Sequence, residues 1–270
     1  MTSEHKDSAV LRFLPKYLYA VISSLFLFTI GVFSGRHRYL IFRIAEHFGM
    51  KTPQARQSIP TIPLTSVLDS KLDITLLEPL GDPGNVTLLE LMVISFLARR
   101  ARPQAVFEIG TFDGRTALNL AANLGPEGKV YTLDLPSAAL DATKFPLAVG
   151  ERSFVAKASS GAKFVNTPHA AKITQLYCDS ATFDFSAYEN RMGLVFVDGS
   201  HTREYLQQDS QTALHLAADG AVILWHDYQQ DWPGVIAGLN ELYETNPAFS
   251  ALRKIEGTTL VMLQRENYRR

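Results

Sequence analysis

One stretch constrains the fold of this chain more than any other: residues 106–121, with the sequence VFEIGTFDGRTALNLA. The pattern predicts a short buried strand, a glycine turn and the first turns of a helix. Gly110 and Gly114 bracket the turn, and glycine tolerates a positive φ and lets a ligand approach the backbone closely. The unbonded N–H groups of the following helix point at the same place. Such a turn suits a nucleotide-like cofactor.

The rest of the chain from residue 87 onward alternates between predicted strands and predicted helices. Thr87 and Glu90 have the spacing of a capping box, which predicts the start of the first helix. Predicted strands cover residues 105–109, 129–133, 172–177, 193–197 and 221–225, with a final hairpin at 251–256 and 258–263. Predicted helices cover residues 88 to about 100, 114–124, 161–166, 203–218 and 234–243. The alternation predicts an α/β fold with a doubly wound, mostly parallel seven-stranded sheet, whose carboxyl-end rim binds the ligand.

Charge and cysteine content exclude some classes of function. The chain has 270 residues with 26 basic and 27 acidic side chains, so it lacks the overall basic field that attracts nucleic acid. We therefore expect no nucleic-acid partner. The single cysteine, Cys178, excludes an internal disulfide.

The N-terminal fifty residues differ in composition from the rest. Residues 17–35 carry no charge and predict an apolar helix of about 28 Å, close to the thickness of a bilayer's hydrocarbon core. A membrane-spanning helix is the favoured interpretation, with a hairpin that embeds without crossing, or a signal peptide, as alternatives. Residues 36–50 predict a basic amphipathic helix that lies in the headgroup layer or packs on the globular domain. Residues 51–86 are predicted to be a linker and lead-in, before a catalytic domain at 87–270.

The glycine turn does not match a dinucleotide site, which would need the pattern G-x-G-x-x-G. The pattern is instead acid-x-Gly-x-x-x-Gly, with Glu108 two residues before Gly110. Asp134 ends the next predicted strand, and Asp179-Ser180 follow the one after it. These features resemble the class I S-adenosylmethionine-dependent methyltransferases, a family with a Rossmann-like fold.

The resemblance implies a set of cofactor contacts. Glu108 would contact the methionine moiety, and Asp134 would accept hydrogen bonds from the ribose hydroxyls. Asp179 and Ser180 would border the adenine. The other residues implied to surround the cofactor are Gly110, Thr111, Phe112, Gly114 and Asp198.

Two further motifs follow the last parallel strands: Asp198-Gly-Ser-His201 and Trp225-His226-Asp227-Tyr228. They resemble the small O-methyltransferases grouped with the macrolide-sugar and catechol enzymes, the methyltransferase family 24 type. The resemblance implies His201 as general base, Asp198 as a catalytic residue, and a metal held by Asp198, His226 and Asp227. His226 stands where the sugar enzymes carry an acid, and Mg²⁺ prefers oxygen ligands, so Mn²⁺ or no metal is an alternative. Tyr228 and Trp232 are expected to face the acceptor.

The sequence thus predicts a membrane-associated enzyme with a cytoplasmic catalytic domain, able to form oligomers. It would transfer the methyl group of S-adenosylmethionine to an oxygen of a small-molecule, glycan or lipid-linked acceptor. The alternatives are a membrane-tethered protein that binds the cofactor without catalysis and an N-methyltransferase without metal. An NAD-dependent oxidoreductase is a third, weaker alternative.

Overall fold

The computed structural model describes residues 4–50, 54–68, 71–148 and 150–265. The chain divides into two compact units, Met1–Gln54 and Ala55–Arg270. Residues 55–86, predicted as linker and lead-in, therefore belong to the second unit.

The first unit consists of two helices, α1 (Glu4–Phe28) and α2 (Gly35–His47), joined by a turn with one 3₁₀ segment at Gly31–Phe33. The prediction of one apolar helix over residues 17–35 is wrong in its bounds, because α1 ends at Phe28. Thr29, Gly31 and Ser34 are weak helix formers, which explains the break. The hydroxyl of Thr29 donates a hydrogen bond of 2.6 Å to the Leu25 carbonyl and so satisfies one helix-end acceptor. Among the described residues, none forms a helix with the length and apolarity needed to cross a bilayer.

The second unit is built on one sheet of eight strands, one more than predicted. The strands are β1 (Thr61–Ile62), β2 (Ala105–Ile109), β3 (Lys129–Asp134), β4 (Ile173–Tyr177), β5 (Met192–Val197), β6 (Ala217–Trp225), β7 (Arg253–Ile255) and β8 (Val261–Gln264). Their order is β1-β7-β8-β6-β5-β2-β3-β4. Among the strand pairs of the described residues, those of β8 with β6 and with β7 are antiparallel and the others are parallel. The predicted mostly parallel α/β sheet is confirmed, and the added strand, β1, comes from the lead-in and pairs with β7.

The described residues of this unit form five α-helices: α3 (Leu88–Ala101), α4 (Arg115–Asn123), α5 (Arg152–Val155), α6 (Arg203–Leu216) and α7 (Pro233–Thr245). The helix predicted at residues 161–166 is wrong, because the chain forms turns there and Gly161 has a φ of +75°. Alternate residues of the central strands enter two separate buried apolar clusters, for example Phe107 in one and Val106 in the other. This pattern is typical of a parallel sheet covered on both faces.

Three side chains of α4 bind the lead-in (residues 55–86) to this helix. Arg115, Asn119 and Asn123 are spaced four residues apart and lie on one side of the helix. Asn119 and Asn123 each bond both the N–H and the carbonyl of one lead-in residue, Leu77 and Thr75 respectively. The buried guanidinium of Arg115 donates to the carbonyls of Glu78, Pro79 and Val86. The sequence pattern did not indicate this attachment, because each bond joins segments distant in the chain.

Candidate active site

The candidate site lies at the carboxyl ends of β2 and β5, where the strand order reverses. From β2 the chain continues to β3 and β4 on one side, while β5 and β6 lie on the other. Doubly wound sheets bind their ligands at such a switch point. One half of the site follows β2, β3 and β4, and we call it the cofactor half. The other follows β5 and β6, and we call it the acceptor half.

The turn after β2 requires both of its glycines. Gly110 has a φ of +99°, and a Cβ there would collide with the backbone carbonyl of Asp198 after β5. Gly114 has a φ of +87°, and a Cβ there would meet Phe164 and Gly161 at 2.6 to 2.7 Å. The left-handed conformation and the close approach each exclude a larger residue. Gly114 caps α4, so the helix begins directly behind the turn.

Glu108 is fully buried beside this turn. One carboxyl oxygen accepts a short hydrogen bond from the hydroxyl of Thr132, which lies 2.6 Å from the hydroxyl of Thr111. The other oxygen, Oε1, has no hydrogen-bond partner among the described residues. Burial raises the pKa of Glu108 well above its usual range. An unsatisfied buried oxygen beside a glycine turn fits a polar ligand that would complete its bonding.

Asp134 ends β3, and its side chain is bound by a segment in which the sequence analysis recognised no motif. Its carboxylate lies 2.7 Å from the ammonium of Lys157 and accepts a short hydrogen bond from Ser160. The backbone N–H of Gly161 donates to the carbonyl of Phe112, so the same segment packs on the glycine turn. The structure thus brings Glu108, the glycine turn and Asp134 to one edge of the sheet.

Asp179, after β4, is held by hydrogen-bond donors of the protein itself. Its carboxylate accepts hydrogen bonds from the N–H groups of Lys144 and Ala181 and from the hydroxyl of Tyr205. Burial, together with this carboxylate, raises the pKa of Tyr205. Asp179 therefore orders the loops at its side of the cofactor half, and Ser180 lies half-buried next to it.

His201, after β5, lies between two carboxylates. Its Nδ1 is 2.7 Å from Glu151 and its Nε2 is 2.7 Å from Asp227. The ring stacks on Trp232 with 3.8 Å between ring centroids. Burial alone would lower the pKa of His201, but the hydrogen bonds to Asp227 and Glu151 outweigh it and raise the pKa to about 9. In this arrangement the imidazole is protonated at neutral pH.

Glu151 is a site residue that the sequence analysis missed. It is buried, and its carboxylate also accepts from the Ser200 hydroxyl at 3.0 Å and from the Ala148 N–H. Burial tends to raise its pKa, but the bonds to His201 dominate and lower it. Glu151 precedes the short helix α5, in a region without a recognisable motif. No local signal in the sequence indicates that it meets His201.

His226, at the end of β6, is also held between acids. Its Nδ1 is 3.0 Å from Asp198 and 3.3 Å from Asp227, and its Nε2 is 3.3 Å from Glu90. Burial would lower the pKa of His226, but these carboxylates raise it well above its usual range. Glu90 was predicted only as the capping-box residue of α3, and the structure shows that capping box complete.

The candidate metal ligands are only partly grouped as predicted. Asp198, His201 and Asp227 each offer a ligand atom, and these atoms lie within 4.8 Å of one another. Two carboxylates and one imidazole form a donor set that suits Mn²⁺ and tolerates Mg²⁺. His226 is not part of this group, although its Nδ1 lies 3.0 Å from Asp198 and 3.3 Å from Asp227.

Three residues that follow β6 differ in backbone conformation or in burial. Asp227 adopts a left-handed conformation with a φ of +62°, which is uncommon for a non-glycine residue and is often found at functional sites. Tyr228 does not face the acceptor as predicted: it is fully buried in the core, and its hydroxyl donates to Asn240. Trp232 is only partly buried and lies against His201.

A comparison with protein families identifies this part of the chain. Residues 107–228 match the model of a methyltransferase domain. The prediction of a class I S-adenosylmethionine-dependent methyltransferase is thereby confirmed. The match covers the glycine turn and both halves of the site.

Several solved structures are similar to the methyltransferase domain. One is the O-methyltransferase TomG of tomaymycin synthesis from Streptomyces achromogenes with SAM, with 20% identity, a TM-score of 0.48, and coverage of 67% of this chain and 82% of that one. Another is an O-methyltransferase from Bacillus cereus in complex with SAH. It has 17% identity and a TM-score of 0.47, and the match covers 68% of this chain and 84% of that one. A third is the SAH-bound methyltransferase PaMTH1 from Podospora anserina, with 14% identity, a TM-score of 0.47, and coverage of 68% and 81%. No curated protein sequence matches the chain significantly.

Proposed function

We propose that this chain transfers the methyl group of S-adenosylmethionine to a hydroxyl oxygen of a small-molecule, glycan or lipid-linked acceptor. The observation that carries the proposal is the position of His201 between Glu151 and Asp227. A hydroxyl must lose its proton as it takes up a methyl group, and an imidazole held in place is suited to accept that proton.

The cofactor half fits S-adenosylmethionine through residues of this chain. Glu108 has an unsatisfied buried oxygen beside the glycine turn, where a Cβ at Gly110 or Gly114 would collide with neighbouring parts of the protein. Asp134 would bind the ribose hydroxyls, and Asp179 and Ser180 would border the adenine. When bound, the cofactor supplies an electrophilic methyl group on a sulfonium.

In the acceptor half, His201 would act as the base and Glu151 would fix its orientation. The Nδ1–H of His201 donates to Glu151 when the ring is neutral, which leaves Nε2 as the proton acceptor. Nε2 lies 2.7 Å from Asp227, so the acceptor hydroxyl would take the place of that carboxylate. Because the pKa of His201 is about 9, the basic form becomes more abundant as the pH rises toward that value.

A divalent cation fits the same half. Asp198 and Asp227 would supply oxygen ligands, and His201 would then be a third donor instead of the base, as their mutual distances allow. Such a cation would supply a positive charge near the developing oxyanion. The acids would then exchange their hydrogen bonds to the histidines for bonds to the metal.

We also propose that residues 4–50 attach the catalytic domain to a membrane, with the domain in the cytoplasm, where S-adenosylmethionine is made. The support is the exposure of large apolar side chains along α1 and its turn, such as Ile22 at 67%, Leu25 at 63% and Phe33 at 85%. Exposed apolar area of this extent marks a membrane or protein contact. Attachment would favour an acceptor that is itself in the membrane.

A transfer assay tests the function. The full-length protein is incubated with methyl-labelled S-adenosylmethionine and, separately, with the total lipid, glycan and polar metabolite extracts of its host. We expect label in one fraction as an ether that survives mild acid and base. Calorimetry on the same preparation tests cofactor binding. Binding without transfer to any fraction would contradict the proposed catalysis and favour a binding protein.

A further inference from the structure

Glu90 occupies a position that its capping role does not explain. It is the third residue of α3, and its side chain is 1% exposed. One oxygen accepts from the N–H and hydroxyl of Thr87, both at 2.8 Å, and the Thr87 hydroxyl oxygen accepts from the Glu90 N–H at 3.3 Å, which completes the capping box. The other oxygen accepts from the N–H and hydroxyl of Thr259, at 2.7 and 2.8 Å. A carboxylate that served only as a cap could stay exposed at the helix end.

Two chains of hydrogen bonds lead from Glu90 to the acceptor half. The first runs from Glu90 to the Nε2 of His226, 3.3 Å away, and from Nδ1 of that ring to Asp198, 3.0 Å away. The second runs through the Thr259 hydroxyl, which donates to Glu90 and accepts from the backbone N–H of Asp227 at 3.2 Å. The two chains end on the two acids of the candidate site.

We infer that Glu90 is a positioning residue, which sets the relative placement of Asp198 and Asp227 through His226 and Thr259. This inference rests on the proposed function. Glu90 itself would contact neither the cofactor nor the acceptor. Asp227 needs such support, because its left-handed backbone conformation persists only where the surroundings fix it. A buried carboxylate with all of its bonds satisfied is a rigid anchor for that purpose.

The test compares Glu90→Gln with Thr87→Ala in the full-length protein. Glutamine can keep the capping box, but its amide cannot accept from both threonines and His226 at once. Thr87→Ala removes the cap of the same helix and leaves the bonds to Thr259 and His226 in place. We expect Glu90→Gln to lower the rate of methyl transfer at saturating S-adenosylmethionine at least tenfold, with cofactor affinity within twofold of the wild type. We expect Thr87→Ala to lower Tm while the rate stays within twofold.

A double variant tests the route of action. If Glu90 acts through His226, the loss in Glu90→Gln combined with His226→Gln is smaller than the product of the two single losses. Equal rates for Glu90→Gln and Thr87→Ala, or multiplicative losses in the double variant, would overturn the inference.

A spectroscopic measurement keeps this test separate from that of the proposed function. With ¹⁵N-labelled histidine, Glu90→Gln should shift the ring-nitrogen signals of His226, which contacts Glu90, and those of His201, which contacts Asp227. Unchanged His226 signals would overturn the inference even in a catalytically active protein. Absence of methyl transfer in the wild type, with the His226 shift present, would refute the proposed function alone.

Discussion

The two halves of the site are built in different ways. In the cofactor half the central features are backbone conformation and one buried carboxyl: two glycines at positive φ, and Glu108 with an unsatisfied oxygen. In the acceptor half they are ionisable side chains in contact, with His201 and His226 each between acids. The first arrangement is suited to hold a ligand, and the second to move a proton or bind a cation.

This difference predicts a division of labour. Changes in the cofactor half should alter the affinity for S-adenosylmethionine, and changes in the acceptor half should alter turnover at saturating cofactor. The halves meet at Gly110, whose α-carbon faces the carbonyl of Asp198.

The largest effect is expected from His201→Gln. Loss of the imidazole should reduce kcat by about 10² to 10⁴-fold, the usual contribution of a general base, with an unchanged Kd for S-adenosylmethionine. Initial rates and calorimetry on the same preparation measure both quantities. His215→Gln, on the exposed side of α6, is the matched control and should change neither. Retention of kcat in His201→Gln would rule out His201 as the base.

Gly110→Ala should affect both halves of the site. A Cβ at φ +99° would be strained and would push against the Asp198 carbonyl, so β2 and β5 would have to separate at their ends. We expect both cofactor affinity and kcat to fall about a hundredfold and the free energy of unfolding to fall by about 3 kcal/mol. Gly125→Ala is the control, since nothing lies within 4 Å of a Cβ there. Normal affinity in Gly110→Ala would show that this contact is dispensable.

Glu151→Gln should have a smaller effect on kcat, about 10 to 100-fold, because the base remains but its orientation is no longer fixed. Removing one carboxylate also lowers the pKa of His201 from its value of about 9. The rising limb of the pH–rate profile should therefore move to lower pH. A limb at the wild-type position would mean that Glu151 does not act on His201.

Asp134→Asn should give the smallest of these effects. We expect S-adenosylmethionine to bind about tenfold more weakly, which corresponds to the loss of one charged hydrogen-bond acceptor. Turnover at saturating cofactor should stay within twofold. Calorimetry gives the Kd, and Asp141→Asn, at an exposed surface acid, is the control. An unchanged Kd would remove Asp134 from the ribose site.

The placement of the cofactor-half residues at one rim of the sheet could be predicted from the sequence because its signals are local. Gly110 and Gly114 flank a turn between a strand and a helix, and Asp134 ends the next strand, so spacing alone placed them at one rim. The same reasoning predicted that most strands of the sheet are parallel. It failed for β1 and for the attachment of residues 55–86, since these depend on contacts with distant parts of the chain.

The acceptor half was predicted only in part for the same reason. Asp198, His201, His226 and Asp227 follow strand ends, and their motifs are visible in the sequence. Their partners are not: Glu151 lies 50 residues before His201, and Glu90 lies 136 residues before His226. Tyr228 was misplaced because burial in the core cannot be distinguished by sequence from exposure at the rim.

A double-mutant cycle with Asp134→Asn and His201→Gln tests the division between the halves most directly. If the halves act independently, the losses in kcat/KM multiply to within about twofold, with the change in Kd confined to Asp134→Asn and the change in kcat to His201→Gln. A tenfold weaker affinity for S-adenosylmethionine in His201→Gln, or a double variant no worse than the poorer single variant, would contradict this account.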